Sequence, residues 1–65
     1  MSNHKIYLTT IEGELAIVKS KIVAVLSAEI KVTNSEHTIK AKVFVDGDDE
    51  PFNVLEDFQY VSDKI

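Results

Sequence analysis

The sequence predicts a mainly β protein, a small antiparallel meander or partly closed barrel of about five strands with a short C-terminal helix. Apolar and polar residues alternate along most of the first 54 positions, which is typical of strands with one buried face. Short polar stretches, two of them containing the only glycines, separate the alternating segments. A length of 65 residues, of which 45% are apolar, leaves room for one core, so residues 1–65 are expected to form a single domain.

The first predicted unit is a β-hairpin. Residues 5–11 place Ile6 and Leu8 on one face and Tyr7 and Ile11 on the other. We expect a tight turn at Glu12-Gly13, where glycine supplies a positive φ, followed by a second strand over residues 14–18. Residues 19–21 form a short polar corner.

The next segment predicts a long second hairpin. Between residues 22 and 32 all even-numbered positions are apolar, which predicts that they face the core: Ile22, Ala24, Leu26, Ala28, Ile30 and Val32. The strand is expected to cover residues 22–33, with a turn at 34–37. The returning strand, residues 38–45, is expected to turn Ile39, Ala41, Val43 and Val45 inward. It turns Thr38, Lys40, Lys42 and Phe44 outward.

The last 20 residues predict a turn, an edge strand and a helix. Asp46-Gly47 is a type I′ turn signal, and residues 48–50 lengthen the loop. Pro51 has no backbone N–H to donate, so residues 52–54 are expected at a sheet edge. Asp57 is the expected N-cap of a helix in which Phe58, Val61 and Ile65 share the face that docks on the sheet.

Four segments resemble the FlbD-like (SwrD) family of short cytoplasmic bacterial proteins. They are residues 5–13 (KIYLTTIEG), 16–25 (AIVKSKIVAV), 43–47 (VFVDG) and 61–65 (VSDKI). That family has an I-x-L-T-x-L-N-G segment, an apolar strand with a polar corner, a hairpin with an N-G or D-G turn and a helix that ends in E-K-I. The resemblance implies a small non-enzymatic accessory protein, associated in that family with flagellar operons or motor function.

The residues themselves predict neither an enzyme nor a cofactor or metal site. There is no cysteine, and the two histidines, His4 and His37, lie near the terminus and in a predicted turn. Asp46, Asp48 and Glu50 alternate as in a calcium loop, but Pro51 stands where such a loop requires glycine. Phosphate-binding loops and nucleophile motifs are absent from the sequence.

Two surfaces are predicted to bind partners. Phe44, Val23 and Val25 are expected to point away from the core face, where either the C-terminal helix or another chain would cover them. The second surface is the acidic loop, a name used here for Asp46, Asp48, Asp49 and Glu50. Six of the seven lysines precede residue 46, whereas seven of the eleven acidic residues follow residue 45.

The predicted function is therefore a non-catalytic binding or assembly module that self-associates or docks a protein partner. The alternative is a phage-encoded acidic inhibitor that imitates nucleic acid and captures a host protein. Binding of single-stranded nucleic acid through Lys40, Lys42 and Phe44 is disfavoured by a pI of about 4.9 and by the absence of arginine. No apolar stretch in the sequence resembles a secretion signal or a membrane span, so a cytoplasmic location is expected.

Overall fold

The computed structural model describes residues 4–65 and confirms the predicted order of five strands and a terminal helix. The strands are β1 (Lys5–Thr10), β2 (Gly13–Val18), β3 (Ile22–Lys31), β4 (Thr38–Val45) and β5 (Phe52–Val54), and the helix is α1 (Phe58–Lys64). The polar corner Lys19–Lys21 is a single 3-10 turn. None of the described helical residues belongs to a helix with the length and apolar character required to span a bilayer.

The strands form two antiparallel sheets, one of β1 and β2 and one in the order β3-β4-β5. The meander prediction is confirmed, but residues 4–65 do not form a closed barrel. The two sheets meet where the backbone N–H of Leu55 donates to the carbonyl of Thr9 at 2.8 Å. The N–H of Thr9 donates to a carboxylate oxygen of Glu56, also at 2.8 Å. These bonds hold β1 beside the end of β5.

The β1–β2 turn lies one residue earlier than predicted. Thr10 and Gly13 are cross-strand partners, so the two turn residues are Ile11 and Glu12. The Thr10 hydroxyl donates to the Gly13 carbonyl at 2.9 Å and accepts from the Glu12 N–H at 3.1 Å. Gly13 itself has a φ of +133°, which explains why glycine is required next to the turn rather than within it.

Strand β4 is central in its sheet and follows the predicted alternation throughout. Its inward residues, Ile39, Ala41, Val43 and Val45, are all buried. The last three of them join Ile6, Leu8 and Ile17 from the first hairpin, Val54 from β5 and Val61 from α1 to form the core cluster between the sheets. The prediction that Ile6 and Leu8 share a buried face is confirmed.

Strand β3 contradicts the prediction that all its even-numbered residues face the core. Leu26 and Ile30 are exposed, and so is Ala24, whereas Val25 packs against the core. Val25 pairs with Val43 and Leu26 pairs with Lys42. Because directly opposed residues project from the same face of a sheet, Leu26 and Val43 lie on opposite faces. The residues of β3 that face the core are therefore even-numbered at some points of the strand and odd-numbered at others.

Two irregularities in β3 explain the error. The register shifts between Ile22 and Ala24, and again between Ser27 and Ile30. At each place β3 has one residue more than β4 between paired positions, which is the definition of a bulge. An extra residue moves every later side chain to the other face of the sheet. A strict two-residue period therefore assigns the wrong face to the residues between the two bulges.

The turn after β4 is also different from the prediction. A type I′ turn requires positive φ at both central residues, but only Gly47 has it, at +93°. The Asp48 N–H donates to the Val45 carbonyl at 3.4 Å, and the Asp46 N–H donates to the Lys21 carbonyl at 2.8 Å. Positive φ at the second central residue alone is the pattern of a type II turn. Strand β5 lies at the sheet edge, as Pro51 predicts.

Helix α1 is capped as predicted but docks through one residue rather than three. The Asp57 carboxylate accepts a hydrogen bond from the Tyr60 N–H at 2.8 Å, which is the expected N-cap contact. Val61 is fully buried, whereas Phe58 and Ile65 are exposed. Of the three residues predicted to form the docking face, only Val61 is buried, and Ile65 lies one residue beyond the end of the helix.

Candidate protein-binding face

The side of the β3-β4-β5 sheet opposite the core carries the candidate site, which we call the outer face. Alternation along β4 and the cross-strand register place these side chains on it: Ala24, Leu26, Thr38, Lys40, Lys42, Phe44 and Asn53. Lys42 lies at its centre, with Leu26 as its partner on β3 and Asn53 as its partner on β5. The face is a three-stranded surface with apolar residues toward β3.

The other described elements pack on the opposite side of this sheet. Val61 of α1 and Leu8 of β1 belong to the same buried cluster as Val43. Since Val43 and Phe44 are neighbours on a strand, their side chains project from opposite faces. The first hairpin and Val61 of α1 therefore pack on the core side. The start of α1 lies near Lys40 at the far end of the outer face, and α1 does not provide the cover for Phe44 that the sequence left open.

The predicted partner-binding residues Phe44, Val23 and Val25 do not lie together. Val23 occupies the first bulge of β3 and is 66% exposed, and Phe44 is half-buried on the outer face. Val25, predicted to point outward, lies on the core side instead because the bulge at Val23 changes the phase of the strand. Leu26, rather than Val25, points outward from β3, and it is 51% exposed.

Sequence reasoning missed Leu26 as a surface residue, although one signal was present. Positions 22–26 are apolar at odd and even numbers alike, so alternation alone does not fix the phase there. Only the register with β4 decides it.

Charges are unevenly distributed along the outer face. Lys40 and Lys42 lie on β4, and all four residues of the acidic loop are exposed where β4 ends. Within the described chain, these lysines and acids make no hydrogen bond or ion pair with one another. The protein therefore has positive charge on β4 and negative charge in the turn and loop that follow it.

A depression adjoins the far end of the outer face, between the β3–β4 hairpin and the start of α1. It has a volume of about 510 Å³ and includes Glu29, Lys40, Asp57 and Phe58 in its lining. The Asp57 carboxylate is already engaged in capping the helix, and Glu29 and Lys40 are exposed to water.

Residues 4–65 do not bring three or more His, Asp or Glu side chains together in a group that could hold a metal ion. His37, singled out from the sequence, is exposed in the loop between β3 and β4. Its backbone N–H donates to the Ser35 hydroxyl at 3.1 Å, which closes that loop. The observed contact of His37 is therefore structural.

No protein-family model matches the chain, and neither a curated protein nor a solved structure is similar enough to match it. The resemblance to the FlbD-like family thus remains a prediction, and so does the accessory role in motility that it implies. Functional inference rests on the geometry and chemistry of the outer face.

Proposed function

We propose that this protein is a non-catalytic protein-binding module that contacts its partner through the outer face. The observation that carries the proposal is the exposure of apolar side chains on a regular sheet face that α1 and the first hairpin leave uncovered. Leu26 and Val23 are each more than half exposed, and they adjoin Phe44 through its cross-strand neighbour Ala24. Contiguous exposed apolar residues with a charged rim are typical of protein interaction sites.

The charges of the same surface favour protein over nucleic acid as the partner. A nucleic-acid site needs clustered cations, because the affinity comes largely from neutralising phosphates. Here Lys40 and Lys42 share the face with the acidic loop at its end, and the whole chain has a formal net charge of −4. A phosphate backbone long enough to follow β4 would meet these carboxylates.

The shape of the surface favours a macromolecule over a small substrate. Small-molecule sites are concave and surround most of the ligand. The outer face is instead formed by three adjacent strands, with the lysines projecting from its central strand. An open sheet surface of this kind fits the face of another protein.

A second candidate function is supported by the acidic loop. Its four carboxylates are all exposed and make no ion pair with the described lysines. These are the properties required of an acidic surface that captures a basic protein. Replacing Asp46, Asp48, Asp49 and Glu50 by Asn or Gln would abolish capture by such a surface, whereas a partner that binds Leu26 and Phe44 would still be bound.

A site-specific cross-linking experiment tests the proposed function. A photoreactive phenylalanine analogue is introduced at Leu26 on the outer face, or at Ile11 in the β1–β2 turn as the control. The two side chains have the same exposed fraction, 51%, so they differ in location rather than in access to solvent. After irradiation in the producing cells, protein adducts are separated by mass and identified.

We expect discrete protein adducts from position 26 and only diffuse background from position 11. Equal adduct patterns at the two positions, or no adduct at position 26, would contradict the proposal. Circular dichroism of both purified variants provides the folding control.

A further inference from the structure

We propose that the partner of the outer face is a second copy of this chain, packed face to face around a two-fold axis that passes over Phe44. The axis lies between the β3-β4-β5 sheets of the two copies and runs perpendicular to their strands. Each β4 therefore lies antiparallel over the β4 of the other copy. This inference rests on the proposed function and specifies the partner. It follows from the order of charges along β4 and from the bulges in β3.

The order of charges along β4 is self-complementary. Lys42 precedes Phe44 by two positions, and Asp46 follows it by two. A two-fold axis over Phe44 exchanges these positions, so each Lys42 faces Asp46 of the partner. Asp46 still continues the ladder, because its N–H donates to the Lys21 carbonyl. A symmetric contact repeats the pair, so two oppositely charged pairs form.

The apolar residues are compatible with the same arrangement. The two Phe44 side chains meet at the axis, with Ala24 beside each of them. Leu26 is level with Lys42 and therefore lies over the beginning of the partner's β3, close to the bulge that exposes Val23. The arrangement thus places apolar residues against apolar residues near the axis and charged pairs along β4.

The bulges favour a contact through the face over a contact through the free edge of β3. An added strand needs a regular row of unpaired backbone groups. Strand β3 is interrupted between Ile22 and Ala24 and between Ser27 and Ile30, which leaves only a short regular stretch along its edge. Side chains on the outer face of β4, in contrast, follow an uninterrupted alternation.

The expected contact is weak. Exposed charge pairs contribute little to affinity, and the exposed apolar residues of the face are few. We therefore expect a reversible dimer that forms only at high protein concentration.

A charge exchange between two positions tests this arrangement. Sedimentation equilibrium is measured from 5 µM to 1 mM for the wild type, Lys42→Glu, Asp46→Lys and the double variant. Each single change places like charges opposite each other twice in the dimer, so we expect the dissociation constant to rise about tenfold. The double variant reverses both pairs and is expected to return to within about threefold of the wild type. Lys19→Glu, which changes a lysine outside the face, is the matched control and should leave the constant unchanged.

Three results would overturn the inference: a wild type that stays monomeric at 1 mM, a dimer that the single changes do not weaken, or a double variant that is no better than the singles. The cross-linking experiment separates this failure from failure of the proposed function. Adducts at position 26 that contain only other proteins would leave the binding face intact and remove the second copy as its partner. Adducts of twice the chain mass would support the dimer.

Discussion

Replacing Val61 by alanine isolates the contribution of α1 to stability. Val61 is fully buried and is the only buried residue of the helix. A helix of seven residues does not persist alone in water, so its presence depends on docking at this one position. The substitution removes two carbon atoms from the core without adding a polar group.

The expected cost is about 2–3 kcal/mol of the free energy of unfolding. Two methyl groups lose about 1.6 kcal/mol of transfer free energy at about 0.8 kcal/mol each. The space they leave, about 50 Å³, adds about 1 kcal/mol if the surroundings do not collapse into it. A chain of this length has a total stability of roughly 3–10 kcal/mol, so the melting temperature is expected to fall by about 10–20 °C.

Urea denaturation followed by circular dichroism measures this loss at low protein concentration, where self-association does not contribute. Val23→Ala is the matched control, because it removes the same atoms from a side chain that is 66% exposed. We expect the control to cost less than about 1 kcal/mol. If Val61→Ala is no more destabilising than Val23→Ala, α1 is not held by this contact and the description of the core is wrong.

Three further substitutions test individual backbone contacts by the same urea measurement. Asp57→Ala removes the N-cap acceptor of the Tyr60 N–H and is expected to cost about 1 kcal/mol, whereas Asp57→Asn, which keeps an acceptor oxygen, should cost less. Gly13→Ala is expected to cost about 1–3 kcal/mol from backbone strain alone, because φ is +133° and nothing lies within 4 Å of an added Cβ; an unchanged midpoint would refute this. Glu56→Ala leaves the Thr9 N–H without its acceptor and should cost about 1 kcal/mol, and Glu56→Gln should recover most of the loss unless the bond contributes nothing.

The sequence was most informative where a single physical rule applied without interruption. Strand β4 alternates strictly, and its predicted bounds and buried face are both confirmed. Asp57 was identified as the N-cap because a short side chain with an acceptor oxygen precedes an apolar helical repeat. Pro51 located the edge strand because it lacks a donor.

The prediction was wrong where local rules do not determine the outcome. The bulges of β3 are visible only through its pairing with β4, and five consecutive apolar positions, 22–26, give no phase of their own. The exposure of Leu26 and the core position of Val25 both follow from that single shift. In α1, the spacing of Phe58, Val61 and Ile65 predicted one face, but the area of sheet available to the helix decided which of them was buried.

The hydrogen bond between Thr9 and Glu56 joins residues 47 positions apart, and this separation constrains how the chain folds during synthesis. The β3–β4 hairpin contains only local pairs and can form as soon as residue 45 is free. The first hairpin can then pack Ile6, Leu8 and Ile17 against β4, but the core is complete only when Val54 and Val61 have been added. A nascent chain that stops before α1 therefore has an incomplete core, whose apolar residues are open to chaperones and proteases.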